Sequence, residues 1–378
     1  MLVAIPKETV ADESRVAATP ETVKKFVALG AAVRVQSSAG LAAGILDADY
    51  EAAGATVAAD AAATLADADI VLKVRRPDTA EIALLKRGAI VIGTLDPYGH
   101  EDAVRALAEA GVIAFATELT PRITRAQVMD VLSSQANLAG YRAVIDASAE
   151  YGRALPMMMT AAGTVPAARV FIMGAGVAGL QAIATARRLG AIVTATDVRP
   201  AAKEQVESLG AKFIAVEDDE FKQAETSGGY AREMSDDYKR KQAELVASHI
   251  AKQDIVITTA LIPGRPAPRL VSDAMVRSLK PGSVVIDLAV ERGGNVEGAR
   301  PGEIVTVDGV KIVGHLNVPG RLAATASTLY AKNLLAFAEQ VIDKETKGIA
   351  VNWDDDIIKA TALTRDGAVI HPAFQPSA

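Results

Sequence analysis

The chain has 378 residues, 50% of them hydrophobic, which is enough apolar material for the cores of about two domains. A net charge of -6 and few aromatic residues argue against nucleic acid as a partner. The absence of cysteine excludes disulfides and thiolate metal sites, and no metal site is predicted. No apolar stretch is long and uninterrupted enough for direct membrane insertion, and the N-terminus has the pattern of a first strand rather than an export signal.

The first third of the sequence alternates short β-branched runs with helical stretches, as parallel β-α-β units do. The predicted strands are LVAIP, AAVRVQ, DIVLKV, AIVIGTL and GVIAFATEL. The helix after the first of them begins beyond Thr19, with Pro20 in its first turn, and ends at Gly30 as a left-handed cap. The opening turn, PKETVADESRVAATP, has no glycine, so no dinucleotide is expected there.

A long helical segment is predicted from Arg125 to Tyr151, and its start, RITRAQVMDVLSSQ, is rich in hydrogen-bonding side chains. At about 100° per residue, four polar residues share one stripe: Gln127, Asp130, Ser134 and Asn137. The neighbouring apolar stripe consists of Val128, Val131 and Leu132. The polar stripe is either a solvent-facing surface of a bridging helix or a set of groups that positions a ligand.

Strands and helices alternate again from Ala168, with RVFIMG, AIVTATD, KFIAV, DIVITTA, SVVIDLA and KIVGHL, which predicts a second parallel sheet. Gly174, Gly176 and Gly179 follow its first strand in G-x-G-x-x-G spacing, the pattern of a turn that places a diphosphate on a helix N-terminus. Asp197 ends the next strand, where a carboxylate binds ribose hydroxyls. A phosphate there would meet a like charge, partly offset by Arg199, so NAD(H) is favoured over NADP(H).

Two features of the second half leave alternatives open. Thr258 and Thr259 before ALIPG, and IDLAVERGG from Ile286, either border the nicotinamide half of the cofactor or are ordinary turns. The stretch from Glu217 to Lys241 is too polar to pack, and is either a solvated insertion or a lid in which Gly228 and Gly229 bend while Tyr230 and Met234 close over a bound ring. A last apolar helix, Arg321 to Val341, precedes a tail that is expected to return to the first domain through a turn at Arg365–Gly367.

These patterns predict an α/β protein with two Rossmann-like, doubly wound parallel-sheet domains joined by long helices with a cleft between them. The first domain comprises residues 1–135 plus 322–378, and the NAD(H)-binding domain residues 140–320. None of the four histidines has a carboxylate nearby in sequence to orient it, and Lys73 and Tyr141 are the other candidate bases. Hydride transfer between two nicotinamide rings needs no such base, because positioning is sufficient.

Six segments closely resemble the NAD(H)-binding component, domain I, of proton-translocating NAD(P) transhydrogenase: PRITRAQVMDVLSSQANLAGYRAV, PMMMTAAGTVPAARV, GAGVAGLQAIATARRLGA, TTALIPGRPAP, DLAVERGGN and GHLNVP. The resemblance implies a homodimer that binds NAD(H) and a flexible loop that closes on it. It further implies Si-specific/Re-specific hydride transfer to NADP(H) on a partner subunit, coupled to proton translocation by a membrane subunit. The chain would be cytoplasmic and peripheral on the inner face of the cell membrane through these partners.

The resemblance also implies functional residues. Around the nicotinamide it places Arg122, Gln127, Asp130, Ser133 and Tyr230. Together with the glycine pattern, it gives a cofactor-binding set of Gly174, Ala175, Gly176, Val177, Gly179, Asp197, Val198, Arg199, Thr259, Ala260, Leu261, Leu132, Ser133 and Asn137.

The alternative is an alanine dehydrogenase-like, NAD-dependent amino-acid oxidoreductase, since those related enzymes share PKE…RVA…P, the lysine in VLKV and the later GG turn. Their catalytic histidine would fall where this chain has Asp96, and their acid corresponds to Glu291. Arg15 and Lys73 would then be inherited scaffold or pocket residues. A non-catalytic NAD sensor would also agree with the scarcity of acid and base groups.

Overall fold

The computed structural model describes residues 1–222, 234–262 and 264–375. The chain divides into two compact units: unit 1 comprises Met1–Gln135 and Pro319–Ala378, and unit 2 comprises Ala136–Val318. Each unit contains a largely parallel sheet with helices, which confirms the predicted α/β class with two Rossmann-like sheets.

The strands are β1 Leu2–Ile5, β2 Ala32–Gln36, β3 Thr56–Ala58, β4 Ile70–Arg75, β5 Ile90–Thr94, β6 Ile113–Ala116, β7 Met158–Thr160, β8 Gly163–Val165, β9 Arg169–Met173, β10 Ile192–Thr196, β11 Lys212–Phe213, β12 Ile255–Thr258, β13 Val284–Asp287, β14 Ile304–Val307, β15 Val310–Val313, β16 Ala362–Arg365 and β17 Ala368–Val369. The α-helices are α1 Pro20–Ala28, α2 Asp47–Ala52, α3 Ala61–Leu65, α4 Thr79–Ala83, α5 Glu101–Glu109, α6 Val131–Glu150, α7 Val177–Arg188, α8 Ala202–Ser208, α9 Asp219–Lys222, α10 Asp236–Ile250, α11 Asp273–Ser278, α12 Ala323–Ala338 and α13 Asp356–Thr361. Short 3-10 helices lie at Leu41–Ala43, Thr117–Leu119, Thr124–Met129, Val290–Arg292 and Val318–Leu322.

The sheet of unit 1 has the strand order β17-β16-β6-β5-β4-β1-β2-β3. The strands from β1 to β6 are parallel, and the order reverses between β1 and β4, as in doubly wound sheets. All five predicted strands are confirmed as β1, β2, β4, β5 and β6. Strand β3 was not predicted, because three residues are too few for alternation to be evident.

Both faces of the first sheet are buried. In β1, Val3 and Ile5 contact one core, which includes residues of α1 and α12, while Ala4 contacts the other. The predicted end of α1 is confirmed, with Gly30 at a φ of +86°. The predicted return of the tail is also confirmed, because β16 pairs antiparallel with β6 and turns tightly into β17.

The sheet of unit 2 has the strand order β11-β10-β9-β12-β13-β15-β14, which reverses between β9 and β12. All of its pairings are parallel except that of β14 with β15. The six predicted strands are confirmed, whereas β14 was missed. It forms a hairpin with β15 through Asp308 and Gly309, both at positive φ.

Unit 2 also has two cores, on opposite faces of its sheet. The interpretation of residues 217–241 as too polar to pack is wrong for its flanks, because the rings of Phe221 and Tyr238 stack with centroids 6.4 Å apart and both side chains are buried. Residues 223–233, including Gly228, Gly229 and Tyr230, lie outside the described residues. None of the described helices has the length and apolar character that crossing a membrane requires.

Candidate functional site

The glycine turn of unit 2 joins β9 to α7. Gly174 adopts a φ of +104°, and its N–H donates to the Thr196 carbonyl at 2.8 Å. A Cβ on Gly179 would lie 1.8 Å from the Gly174 oxygen, so only glycine allows the helix to approach the turn this closely. A Cβ on Gly176, the N-cap of α7, would meet no protein atom within 4 Å. Packing therefore explains Gly179, while the glycine at 176 fits the close approach of a diphosphate.

Asp197 has a role in this turn that the sequence analysis did not predict. One of its carboxylate oxygens accepts from the Ala175 N–H at 2.7 Å, and the side chain is only 8% exposed. The other oxygen accepts from the Arg199 N–H at 2.9 Å and from its Nε at 3.0 Å. Asp197 thus holds the glycine turn to the end of β10. A ribose hydroxyl would compete with Arg199 for the remaining acceptor positions of the carboxylate.

Asn295 joins the loops that follow β12 and β13. Its Nδ2 donates to the Ala260 carbonyl at 2.9 Å and to the Pro268 carbonyl at 2.8 Å, and its Oδ1 accepts from the Ala260 N–H at 3.0 Å. Thr259 then donates from Oγ1 to the Gly174 carbonyl at 3.1 Å. The structure therefore brings Thr259 and Ala260 against the glycine turn, at the carboxyl edge of the sheet.

The remaining predicted cofactor residues of unit 2 are exposed. Val177, Val198 and Leu261 are 40%, 63% and 54% exposed, and Asn137 lies on the solvent-exposed side of α6. Three large apolar side chains at the edge of a phosphate-binding turn suit contact with the flat faces of a bound dinucleotide.

In unit 1, the predicted continuous helix from Arg125 is wrong. A 3-10 helix covers Thr124–Met129, Asp130 has a ψ of 89°, and α6 begins at Val131. Asp130 interrupts the helix because its carboxylate caps α6, accepting from the Ser133 N–H at 2.8 Å and from the Ser133 hydroxyl at 2.5 Å. A spacing of about 100° per residue does not continue across this break, so the four polar residues do not form one stripe.

The polar side chains of this segment divide into two groups. Ser134 donates to Asn333 at 2.7 Å, and the buried Gln135 accepts from Arg15 at 2.9 Å, so both stabilise unit 1 itself. Arg122 and Gln127 are exposed, and neither side chain has a hydrogen bond or ion pair to another described residue. Together with the Asp130–Ser133 pair, these are the groups that a ligand could contact.

The predicted apolar stripe is not buried as a whole. Val131 is 2% exposed, but Val128 and Leu132 are 64% and 51% exposed. The buried side chains of the 3-10 helix are instead Ala126 and Met129, because a tighter helix turns a different set of residues to the core. Leu132 thus presents an apolar surface beside Ser133. Tyr230, the last of the predicted catalytic residues, lies outside the described residues.

A buried charge cluster lies in unit 1, and it contains both basic residues that the sequence analysis connected with a substrate pocket. Lys73 is 1% exposed, with its Nζ 2.7 Å from Glu81 and 3.3 Å from Glu8. Arg15 and Arg75 each contact Glu13 at 2.7 Å. Burial alone would raise the pKa of Glu13, but hydrogen bonds and charges from these arginines lower it to about 2. The cluster, which consists of Glu8, Glu13, Arg15, Lys73, Arg75 and Glu81, has three basic and three carboxyl side chains, of which Arg75 is 31% exposed and lies at the edge.

Asp96 adopts the left-handed conformation, with a φ of 49°, after the end of β5. No carboxylate was identified from the sequence as an orienter of a histidine; in the structure, the Nδ1 of His100 lies 3.0 Å from the Asp96 carbonyl oxygen and 3.6 Å from the Asp96 carboxylate. Glu118 accepts from the N–H groups of Leu95 and Asp96. Burial raises the pKa of Glu118 to about 7, and the charge of Asp96 adds to the rise.

Two functional candidates were missed in the sequence. Asn295 ends the segment DLAVERGGN. The two glycines before it indicate a turn, but nothing in the sequence indicates which groups the side-chain amide of Asn295 binds. Asn333 lies in an apolar helix, and no local pattern connects it to residues about 200 positions away.

The chain is similar to proteins of one known family over nearly its whole length. The family models "Alanine dehydrogenase/PNT, N-terminal domain" and "Alanine dehydrogenase/PNT, C-terminal domain" match residues 4–139 and 143–372. An NAD(P) transhydrogenase alpha subunit chain of Rhodospirillum rubrum is 58% identical over 99% of both chains. The crystal structure of transhydrogenase from Sinorhizobium meliloti, 62% identical, has a TM-score of 0.90 over 98% of this chain and all of that one. An alanine dehydrogenase of Halomonas elongata is more distant, at 32% identity over 99% of this chain and 95% of that one.

Proposed function

The chain belongs to the alanine dehydrogenase/PNT family, and we propose that it is the NAD(H)-binding subunit of a proton-translocating NAD(P) transhydrogenase. In this function a hydride passes directly between NAD(H) on this chain and NADP(H) on a partner subunit, with Si-specific/Re-specific stereochemistry. The observation that carries the proposal is the glycine turn of unit 2, where only the glycine at 176 has no protein neighbour to explain it.

The chain binds NAD(H), and we propose that unit 2 binds its diphosphate and adenosine ribose. The N–H groups at the start of α7, after Gly176, would hold the diphosphate, and Asp197 would accept from the ribose. Val177, Val198 and Leu261 would cover the apolar faces of the dinucleotide. Bound NADH supplies a hydride at C4 of its nicotinamide ring, and the protein residues supply only its position.

The positioning groups for the nicotinamide are proposed to be Arg122, Gln127, Asp130, Ser133 and Tyr230, with Leu132 and Asn137 beside them. The free side chains of Arg122 and Gln127 support this assignment, as does the Asp130–Ser133 pair, whose hydroxyl orientation is fixed by the carboxylate. None of these groups needs to take up a proton, because hydride transfer between two nicotinamide rings makes and breaks no O–H or N–H bond.

The experiment is a turnover assay with the purified chain, an NADP(H)-binding subunit and an NAD analogue of distinct absorbance. We expect hydride exchange that depends on both proteins and falls at least about tenfold in Gln127→Ala, the loss of one positioning contact. Lys344→Ala is a matched control, because Lys344 is exposed and pairs only with Glu339 among the described residues. No exchange with any partner concentration would refute the proposal.

The alanine dehydrogenase alternative is disfavoured by the charge cluster. Lys73 already contacts the carboxyl groups of Glu8 and Glu81, and Arg15 contacts that of Glu13 and also donates to Gln135. A keto acid would have to displace an internal carboxylate from a nearly dry site, at a cost of several kcal/mol. Oxidation of NADH with pyruvate and ammonia by this chain alone would favour the alternative.

The partners are proposed to be an NADP(H)-binding subunit, a proton-conducting membrane subunit and a second copy of this chain. The hairpin of β7 and β8 supports the homodimer, since Met157, Met158 and Met159 are 57%, 41% and 80% exposed. An isolated two-stranded sheet with such an apolar surface gains stability by packing on another molecule. Sedimentation of Met159→Lys should show monomers if the hairpin makes the contact.

The proposed location of the chain is the cytoplasmic side of the cell membrane, where the partner subunits would hold it.

A further inference from the structure

One face of α12 carries three buried polar side chains, three residues apart, that bind backbone groups of other segments of unit 1. Ser327 accepts from the Val16 N–H at 3.1 Å. Tyr330 accepts from the Thr94 N–H at 2.9 Å and donates to the Lys73 carbonyl at 3.0 Å. The third, Asn333, is 8% exposed and binds the segment that holds the proposed nicotinamide groups.

Asn333 contacts both sides of the break at Asp130. Its Nδ2 donates to the Val128 carbonyl at 2.8 Å, in the last turn of the 3-10 helix. Its Oδ1 accepts from the Ser134 hydroxyl at 2.7 Å, in the first turn of α6. A single planar amide therefore bridges the end of one helix and the beginning of the next.

On the solvent-exposed side of the helix break at Asp130, few other contacts hold the two elements together. Val128 is 64% exposed and Leu132 51% exposed, so their side chains do not anchor the segment in the core. The backbone across Asp130 is held locally by bonds from the Asp130 N–H to the Gln127 carbonyl and from the Ser134 N–H to the Asp130 carbonyl, both 3.2 Å long. Loss of the Asn333 amide would remove a side chain that bonds to both elements, so that Gln127 and Ser133 would be held in register only by these local bonds and by the buried side chains of Met129 and Val131.

We propose that Asn333 is a positioning residue for hydride transfer, which sets the relative placement of Gln127 and Ser133 through Val128 and Ser134. The inference rests on the proposed function, because it assumes that these two residues contact the nicotinamide. Asn333 itself touches neither cofactor nor reacting atoms in this scheme.

This role has a kinetic signature. The diphosphate and adenosine groups of NADH are assigned to unit 2, so most of the binding free energy does not depend on Asn333. A displacement of about 1 Å at the reacting carbon can lower a transfer rate about a hundredfold. Asn333 variants should therefore lose at least about tenfold in single-turnover hydride transfer while the Kd for NADH changes less than about threefold.

The test uses the complete chain with its NADP(H)-binding partner and the variants Asn333→Ala and Asn333→Asp. The aspartate keeps the acceptor for Ser134 but replaces the donor to Val128 with an oxygen. Thr328→Ala is the matched control, because among the described residues its hydroxyl bonds only within α12, to the Ala324 carbonyl at 2.9 Å. Stopped-flow transfer rates, NADH calorimetry and hydrogen exchange of the peptide covering residues 124–134 are measured for each.

We expect both Asn333 variants to slow transfer and to speed amide exchange around Asp130 and Ser134, while Thr328→Ala changes neither. Unchanged transfer and exchange in both variants would overturn the proposal. Equal losses in rate and NADH affinity, with exchange raised throughout unit 1, would also overturn it, because that pattern indicates a general structural role. If Gln127→Ala slows transfer but the Asn333 variants do not, only the positioning role is wrong. If Gln127→Ala has no effect either, the assignment of the nicotinamide groups also fails, whereas only the absence of hydride exchange by the unaltered chain would refute the proposed function.

Discussion

Gly176 and Gly179 lie in the same turn, but an added methyl group would meet different surroundings at the two positions. At Gly179 the new Cβ would be 1.8 Å from the Gly174 oxygen and 2.8 Å from its carbonyl carbon. At Gly176 it would meet no protein atom within 4 Å, and the φ of -76° suits alanine. Gly179→Ala should therefore lower the free energy of unfolding, whereas Gly176→Ala should mainly weaken the binding of NADH.

The distances set the expected magnitudes. Gly179→Ala must move the helix or the turn by at least about 1 Å, and overpacking of this kind costs about 1–3 kcal/mol of unfolding free energy. Gly176→Ala changes an N-cap, which alters stability by about 1 kcal/mol or less. Its methyl group would occupy the approach of the diphosphate, so we expect the Kd for NADH to rise at least about tenfold, equivalent to about 1.4 kcal/mol.

Urea unfolding and NADH calorimetry separate the two effects. Gly152→Ala is a matched control in unit 2, because a Cβ there meets nothing within 4 Å and its φ is not positive. Wild-type NADH affinity in a folded Gly176→Ala variant would refute the assignment of the diphosphate to this turn. A Gly179→Ala variant as stable as Gly152→Ala would refute the packing explanation.

Four further changes test other regions of the structure. Asp197→Asn should reduce the preference for NADH over NADPH and weaken the hydrogen bond from the Ala175 N–H. Unchanged affinities for both cofactors in calorimetry would contradict the role of Asp197 in cofactor preference. Asn295→Ala leaves backbone groups without partners, so stability should fall by about 1–3 kcal/mol per group and NADH affinity should fall with it, as measured by unfolding and titration. Lys73→Met leaves buried carboxylates uncompensated and should cost about 3–5 kcal/mol in urea unfolding; a small cost would contradict the buried charge cluster. The pKa of Glu118 is raised from 4.5 to about 7, so the folded protein holds this proton more tightly than the unfolded chain, and unfolding free energy should fall as pH rises from about 4.5 to 7. Glu118→Gln should lack this component of the pH dependence, and identical pH profiles for variant and wild type would show that the group does not titrate there.

The glycine turn and both parallel sheets were predictable because their signals are local. Strands buried on both faces are continuous apolar runs. The spacing of Gly174, Gly176 and Gly179 is a local pattern of six residues, in which Gly174 and Gly179 meet the steric requirements of the turn itself. The same local information could not show that Asp197 binds Ala175, since that contact depends on two adjacent strands and their register.

The break at Asp130 shows where periodicity misleads. The apolar pattern continues across it, but a carboxylate three residues before Ser133 is an N-cap signal that competes with a continuous helix. The contacts of Asn333 had no signal at all. They are made between segments about 200 residues apart, and a side-chain amide has no sequence pattern that identifies its partner.

The placement of β16 beside β6 has a consequence for synthesis on the ribosome. Unit 2 is one continuous stretch, Ala136–Val318, whereas the sheet and core of unit 1 need β16 and α12, which follow it. Unit 2 can therefore complete its folding during translation before unit 1 can. Until β16 is synthesised, the edge of β6 stays unpaired. A nascent chain that has emerged only as far as residue 318 would be a substrate for chaperones at its N-terminal end.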